Sequence, residues 1–228
     1  MNTIVTLCSI TLTVGAYFIS RQAARRYPSP FTTPVFFSTT IIITILLLSN
    51  VTYAEYEPAK DIMTFLLGPA TVALAVPLYK NKNIILKNLA PAGIGLVVGS
   101  FATILSAVLI AKLFHLSKTI LASISVKSVT VPVAIEAAKI IGGDPALTAA
   151  FVVGTGISGT MIGPWLMNKT GISHPLSRGL SLGTISHGQG TAGAATEGEL
   201  QGAIAGVAMG IAAIFTSIVA PLLVPFLY

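Results

Sequence analysis

The sequence predicts an all-α polytopic membrane protein with about seven or eight hydrophobic elements, two of them interrupted or re-entrant. Three observations predict it. Of the 228 residues, 54% are hydrophobic and 9% charged, where a soluble domain has roughly 25% charged. Mean hydropathy is +0.87, and apolar runs of roughly 20 residues recur along the whole chain. Inside that pattern, 125–136 (SVKSVTVPVAIE) and 178–195 (RGLSLGTISHGQGTAGAA) are too polar for helices facing lipid, and the second is also too rich in glycine. The net charge of +6 fits basic cytoplasmic loops held against anionic lipid. No nucleic-acid partner is expected. Cys8 is the single cysteine, so an intrachain disulfide, a thiol-based zinc cluster and an iron–sulfur site are excluded.

In order, the first apolar run, Asn2 to Ser20, is followed by Arg21, Arg25 and Arg26. Charge after the run rather than before it reads as an uncleaved span with its amino end outside. Thr33 to Val51 returns outward, and Glu55, Glu57 and Asp61 read as an acidic outside loop. Residues 1–60 thus form a two-span region, followed by 61–228 as the main membrane domain, the two making one compact unit. The third run, Ile62 to Tyr79, holds Pro69 and Pro77; interior proline costs about 3 kcal/mol, so Gly68 and Pro69 are hinge candidates. Lys80, Lys82 and Lys87 place the next loop inside. Leu89 to Ala111 is a fourth span, with a GxxxG spacing at Gly95 and Gly99 suited to close helix approach.

Thr119 to Ile141 carries the first polar interruption. Pro132 suits the first turn of a half-helix, whose free amides near 129–133 would favour a carboxylate or phosphate. Lys127 either adds a full charge there or snorkels to the interface. Glu136 is a partner for Lys127 or Lys139, a proton-carrying group, or a charge near a vestibule. Ala146 to Met167 and Gly202 to Tyr228 are further spans, with the glycine-rich stretch 178–195 between them. If every element spans, the loop with Lys169 and Arg178 falls outside and the Glu197/Glu199 turn inside; a re-entrant Thr119 to Ile141 reverses both. An inverted repeat of discontinuous helices is the corresponding expectation.

Both interruptions together form the expected binding site: Lys127, Ser128 and Thr130 from the first, Ser186, His187, Gln189 and Thr191 from the second, with Gly188 and Gly190 as further hinges beside Pro132. His187, with an ordinary pKa of about 6.5, is the first proton-coupling candidate or else a pin for the loop; Glu136 is the second. Adjacent Ser186 and His187 do not face each other as nucleophile and base, and His115, His174 and His187 lack metal-ligand spacing. No enzyme activity, metal or cofactor is expected.

The strings at 65–80 (FLLGPATVALAVPLYK), 127–134 (KSVTVPVA), 141–164 (IGGDPALTAAFVVGTGISGTMIGP), 177–194 (SRGLSLGTISHGQGTAGA) and 202–210 (GAIAGVAMG) resemble the LrgB/CidB family of bacterial membrane proteins, over roughly residues 60–228. Val126 and Gly193 depart from the family's pattern, which often has a proline and a basic residue at these places. The resemblance implies two functions. One is a transporter of small carboxylates in the bacterial inner (plasma) membrane, through relatives that carry glycolate and glycerate or move pyruvate. The other is a holin- or antiholin-like protein that acts with a small LrgA/CidA-like membrane partner on murein hydrolase activity and autolysis. A homo-oligomer, preferably a dimer, embedded in the lipid bilayer is expected in either case.

Overall fold

A computed structural model of the chain describes residues 3–66, 69, 72, 73, 75–80 and 82–227. Its contacts divide the chain into two compact units, Met1–Ala75 and Val76–Tyr228. Among the described residues, four helices are long and apolar enough to cross a membrane: Thr3–Arg26, Leu89–Leu113, Pro145–Lys169 and Glu199–Leu227.

In the first unit, α1 (Thr3–Arg26) packs against α2 (Pro34–Leu48) and α3 (Tyr53–Phe65). The 15 residues of α2 make a rod of about 22 Å, shorter than the roughly 30 Å hydrocarbon layer. The expected acidic loop is instead a helix. Thr52 and Glu55 form a capping box, with the Glu55 carboxylate accepting from the Thr52 amide at 2.8 Å, and Glu57 and Asp61 flank Lys60 on α3. The hinge candidate Gly68 lies outside the described residues; Pro69 is helical and exposed.

The second unit contains α4 (Ala75–Lys80, beginning one residue before it), α5 (Lys82–Lys87), α6 (Leu89–Leu113), α7 (Lys118–Ser125), α8 (Val131–Ile140), α9 (Pro145–Lys169), α10 (Pro175–Glu197) and α11 (Glu199–Leu223). Several helices here stop at a left-handed residue. His115, Gly142 and Gly171 have φ of 51°, 80° and 75°, and after each the chain's amides return to the last carbonyls, as in Leu116 to Ala111, Gly143 to Ala138 and Ile172 to Met167. His115 is therefore a helix cap. Asp144 starts α9 by accepting from the Leu147 amide at 2.8 Å, with Pro145 in the first turn.

Two elements fold back on themselves. Between α7 and α8 the helix breaks at 126–130, and the Asp144 amide donates to Ser123 Oγ at 2.8 Å. A continuous helix would hold those residues about 31 Å apart, so the chain enters and returns. In α10 the backbone of His187 is non-helical, with φ 43° and ψ −130°. Arg178 grips Glu197 with two hydrogen bonds, 2.7 Å from Nε and 2.8 Å from Nη2, although a straight helix would separate them by about 28 Å. Gly190 comes back against the Leu182 carbonyl. Residues 175–186 and 188–197 are thus the two arms of a hairpin.

One re-entrant element was expected from charge; the described residues contain two. They meet α9 from opposite ends: Ser123 holds its start at Asp144, while Arg178 donates to Asn168 Oδ1 and the Ile172 carbonyl, both 2.9 Å, at its finish. Each hairpin packs on the long helix that follows it, the first on α9 and the second on α11. The unit of hairpin plus long helix therefore occurs twice, in opposed directions.

The Arg178–Glu197 pair is largely buried, with side chains 10% and 19% exposed. Removing one partner of such a pair leaves a charge without compensation. Arg178→Ala should cost about 3 kcal/mol, seen as a lower melting temperature of the purified protein, whereas Lys139→Ala, which breaks an exposed pair, should leave it unchanged.

Candidate functional site: two hairpin tips on the middle of one helix

The site is built on α9, whose glycines let the second hairpin approach without intervening side chains. A Cβ at Gly156 would overlap Gln189 Oε1 and stand 2.9 Å from His187 Cε1; one at Gly159 would overlap Ser186 Oγ; one at Gly163 would lie 3.1 Å from Leu182 Cδ2. As the α9 numbering falls from 163 to 156, the hairpin numbering rises from 182 to 189. Beyond the tip the order reverses, with Gly193 facing Thr160.

His187 sits at the turn. Its ring is buried, and Nε2 lies 3.0 Å from the Val152 carbonyl. A carbonyl only accepts, so Nε2 carries the hydrogen. The His187 carbonyl accepts from Thr191 Oγ1 at 3.0 Å, tying the turn to the second arm. A histidine at positive φ is uncommon, and these two bonds, with the α9 contact, fix it there. Gly188 and Gly190 follow directly, and Gly190 takes the position where any side chain would collide with the Leu182 backbone.

The first hairpin brings Lys127, Ser128 and Thr130 to its tip. Lys127 Nζ donates to the buried Ser128 Oγ at 3.2 Å. Thr130 precedes α8 in extended backbone, and Pro132 lies in that helix's first turn. Lys127 and Ile124 line an open groove of about 500 Å³ that runs along Phe151, Gly154, Ser158 and Gly159 to Ile185. A second cavity of about 340 Å³ adjoins it and leads from Ser186 and Gly159 towards Thr170 and Ile172.

Of the residues singled out in the sequence, Lys127 and Ser186 line this connected space; Ser128 lies beside Lys127, and His187 and Gln189 pack against Gly156 and Val152 of α9. Among the described residues, the buried Ser186 Oγ and Gln189 Oε1 have no hydrogen-bond partner. Thr191 serves the turn rather than the groove. Glu136 is not brought to the site; its side chain is 71% exposed and pairs with Lys139 at 2.7 Å. The sequence reading missed the Arg178–Glu197 clamp, because a 19-residue spacing signals contact only once the reversal between them is known.

The chain matches the LrgB-like family over residues 13–226. It is 38% identical over 221 residues to YwbG of Bacillus subtilis, an uncharacterized protein, covering 97% of this chain and 98% of that one. It is 30% identical over 222 residues to the holin-like protein CidB of Staphylococcus aureus, covering 97% of each. No solved structure matches it.

Filling a contact between backbones differs from filling open space. Gly190→Ala should cost about 1–3 kcal/mol through overpacking and lower the melting temperature. Gly154→Ala, which meets nothing within 4 Å, should be neutral or stabilise by up to about 1 kcal/mol.

Proposed function

This chain belongs to the LrgB-like family, and on that premise we propose that it is a secondary carrier of small 2-hydroxy or 2-oxo monocarboxylates, the class of glycolate, glycerate, pyruvate and lactate, crossing the bacterial inner membrane several times. The observation that supports this reading is that both hairpin tips reach one connected space along the middle of α9, lined by Lys127 from the first hairpin and by Ile185 and Ser186 from the second. A carboxylate placed there meets the Lys127 ammonium and the amide-rich start of α8. The oxygen at its second carbon meets Ser186 and Gln189. Discontinuous helices with tips at mid-depth suit alternating access, since small movements of one hairpin against α9 open one end and close the other.

Orientation follows from charge. Lys80, Lys82 and Lys87 precede α6, and Lys169 and Arg178 lie at the far end of α9, which assigns those ends to the cytoplasm. The cavity leading to Thr170 and Ile172 then opens inward. With Glu136 turned away, His187 is the group assigned to proton coupling.

The name of the Staphylococcus relative favours a second reading, a holin-like protein that works with a small LrgA/CidA-like membrane partner on murein hydrolase export and autolysis.

Counterflow of labelled glycolate, glycerate, pyruvate and lactate into proteoliposomes separates the two. The carrier reading expects saturable, stereoselective exchange, lowered roughly tenfold or more by Lys127→Ala or Ser186→Ala, a loss of about 1.4 kcal/mol in binding. With His187→Gln a pH gradient should no longer drive uptake. Failure of all four acids to exchange, with release of entrapped dye, would sink the carrier reading and favour the holin-like one.

A further inference from the structure

A second set of polar groups lies on the opposite face of the α10 hairpin from the groove. Gly95 of α6 faces Leu180 Cδ2, 3.1 Å from where a Cβ would stand, and Gly99 faces Thr184 Cγ2 at 3.5 Å. Equal steps of four residues on both helices mean that α6 and the first arm of the hairpin run parallel in register. Ser100 therefore lies within a turn of Thr184. Ser100 is 2% exposed and Thr184 3%, and neither Ser100 Oγ nor Thr184 Oγ1 has a hydrogen-bond partner among the described residues. Two such hydroxyls on facing helices are a costly feature to bury without purpose.

The surroundings decide what they would bind. The first arm ends at the non-helical His187, and the last carbonyls of a helix lack intrahelical partners. That end also carries about half a negative charge. Anions are disfavoured there. Hydroxyl and carbonyl oxygens are hard, neutral ligands suited to small hard cations. Among the described residues no group of three His, Cys, Asp or Glu side chains is placed to hold a metal ion, so the oxygens present fit a single charge rather than a transition metal or a carboxylate-bound divalent ion.

We propose that Ser100, Thr184 and the terminal carbonyls of the first arm of α10 form a binding site for a small monovalent cation, sodium. The site lies on the arm that also carries Ser186, so a bound sodium ion holds the tip in the position that completes the carboxylate groove. Its coupling role rests on the carrier reading; its occupancy by sodium does not. It uses neither His187 nor Lys127, and so adds a cation to the cycle without a titrating group.

The test measures sodium directly on the purified full-length chain in detergent, by thermal unfolding in sodium, potassium or N-methylglucamine chloride at equal ionic strength and by equilibrium retention of radioactive sodium. The expected result is a saturable rise in melting temperature with sodium alone and retained label. Thr184→Val and Ser100→Ala should weaken the apparent sodium affinity roughly tenfold or more, the loss of about one charge-assisted contact. Thr184→Val keeps the side chain's shape, so in N-methylglucamine it should melt at or above the wild-type temperature. Equal melting in all three salts with no label retained overturns the site. So does sodium binding that both substitutions leave intact. Counterflow repeated with and without sodium keeps the two claims apart: exchange in either salt with no sodium binding refutes the cation site and leaves the carrier, while sodium binding without exchange of any acid refutes the carrier and leaves the site.

Discussion

The close approach of the α10 hairpin to the glycine face of α9 is the constraint on which the rest of the second unit depends. In hydrocarbon a helix end has no water to satisfy its amides and carbonyls, so a helix stops at mid-depth only where protein or a polar cavity covers the break. Gly156, Gly159 and Gly163 supply that cover by letting His187, Gln189, Ser186 and Leu182 lie directly on the α9 backbone. The Val152 carbonyl then reaches the His187 ring. Side chains at those glycines would push the tip outward, and the ends of both arms would lose their shelter.

Given that contact, the remaining architecture follows from where the hairpins are tied. The second is closed at its open end by Arg178 and Glu197 and anchored to the end of α9 through Asn168 and Ile172. The first is tied to the beginning of α9 through Ser123 and Asp144. Opposed anchoring sets unlike helix ends on the same long helix, the amide-rich start of α8 in one hairpin and the end of the first arm of α10 in the other. Helix ends of opposite partial charge give a membrane protein with few ionisable side chains the means to hold ions of either sign.

Much of this is legible in the sequence, and the reasons for the rest are physical. Glycine and hydroxyl density between Arg178 and Ala195 marks an interruption because such residues cannot face lipid as a helix. Lys127 with Pro132 marks the other. Composition does not distinguish a kink from a reversal, since both break the helix at the same place. Contacts across the reversal separate them, above all Arg178–Glu197, and its 19-residue spacing has no helical or strand period. Charge counting came close, requiring one reversal to bring Lys169 and Arg178 inside; the second brings Glu197 to the same end, where it pairs with Arg178. At Glu55 the acidic cluster suggested a loop, but threonine three residues before glutamate is a helix-start signal, and Thr52 caps α3. Glu136 sits one turn beyond Pro132, yet helical phase turns it outward to Lys139.

The central claim is that α10 enters and leaves by one face, with its tip on the middle of α9. Single-cysteine variants at the two ends of the hairpin test it most directly: Ser173→Cys and Thr196→Cys, each with Cys8→Ser, probed in oriented membrane vesicles with a thiol reagent that does not cross the bilayer. Both positions are exposed. The hairpin predicts that both react from the cytoplasmic face alone. Labelling of one from each face would make α10 a kinked span and remove the opposed tips on which the carrier reading stands.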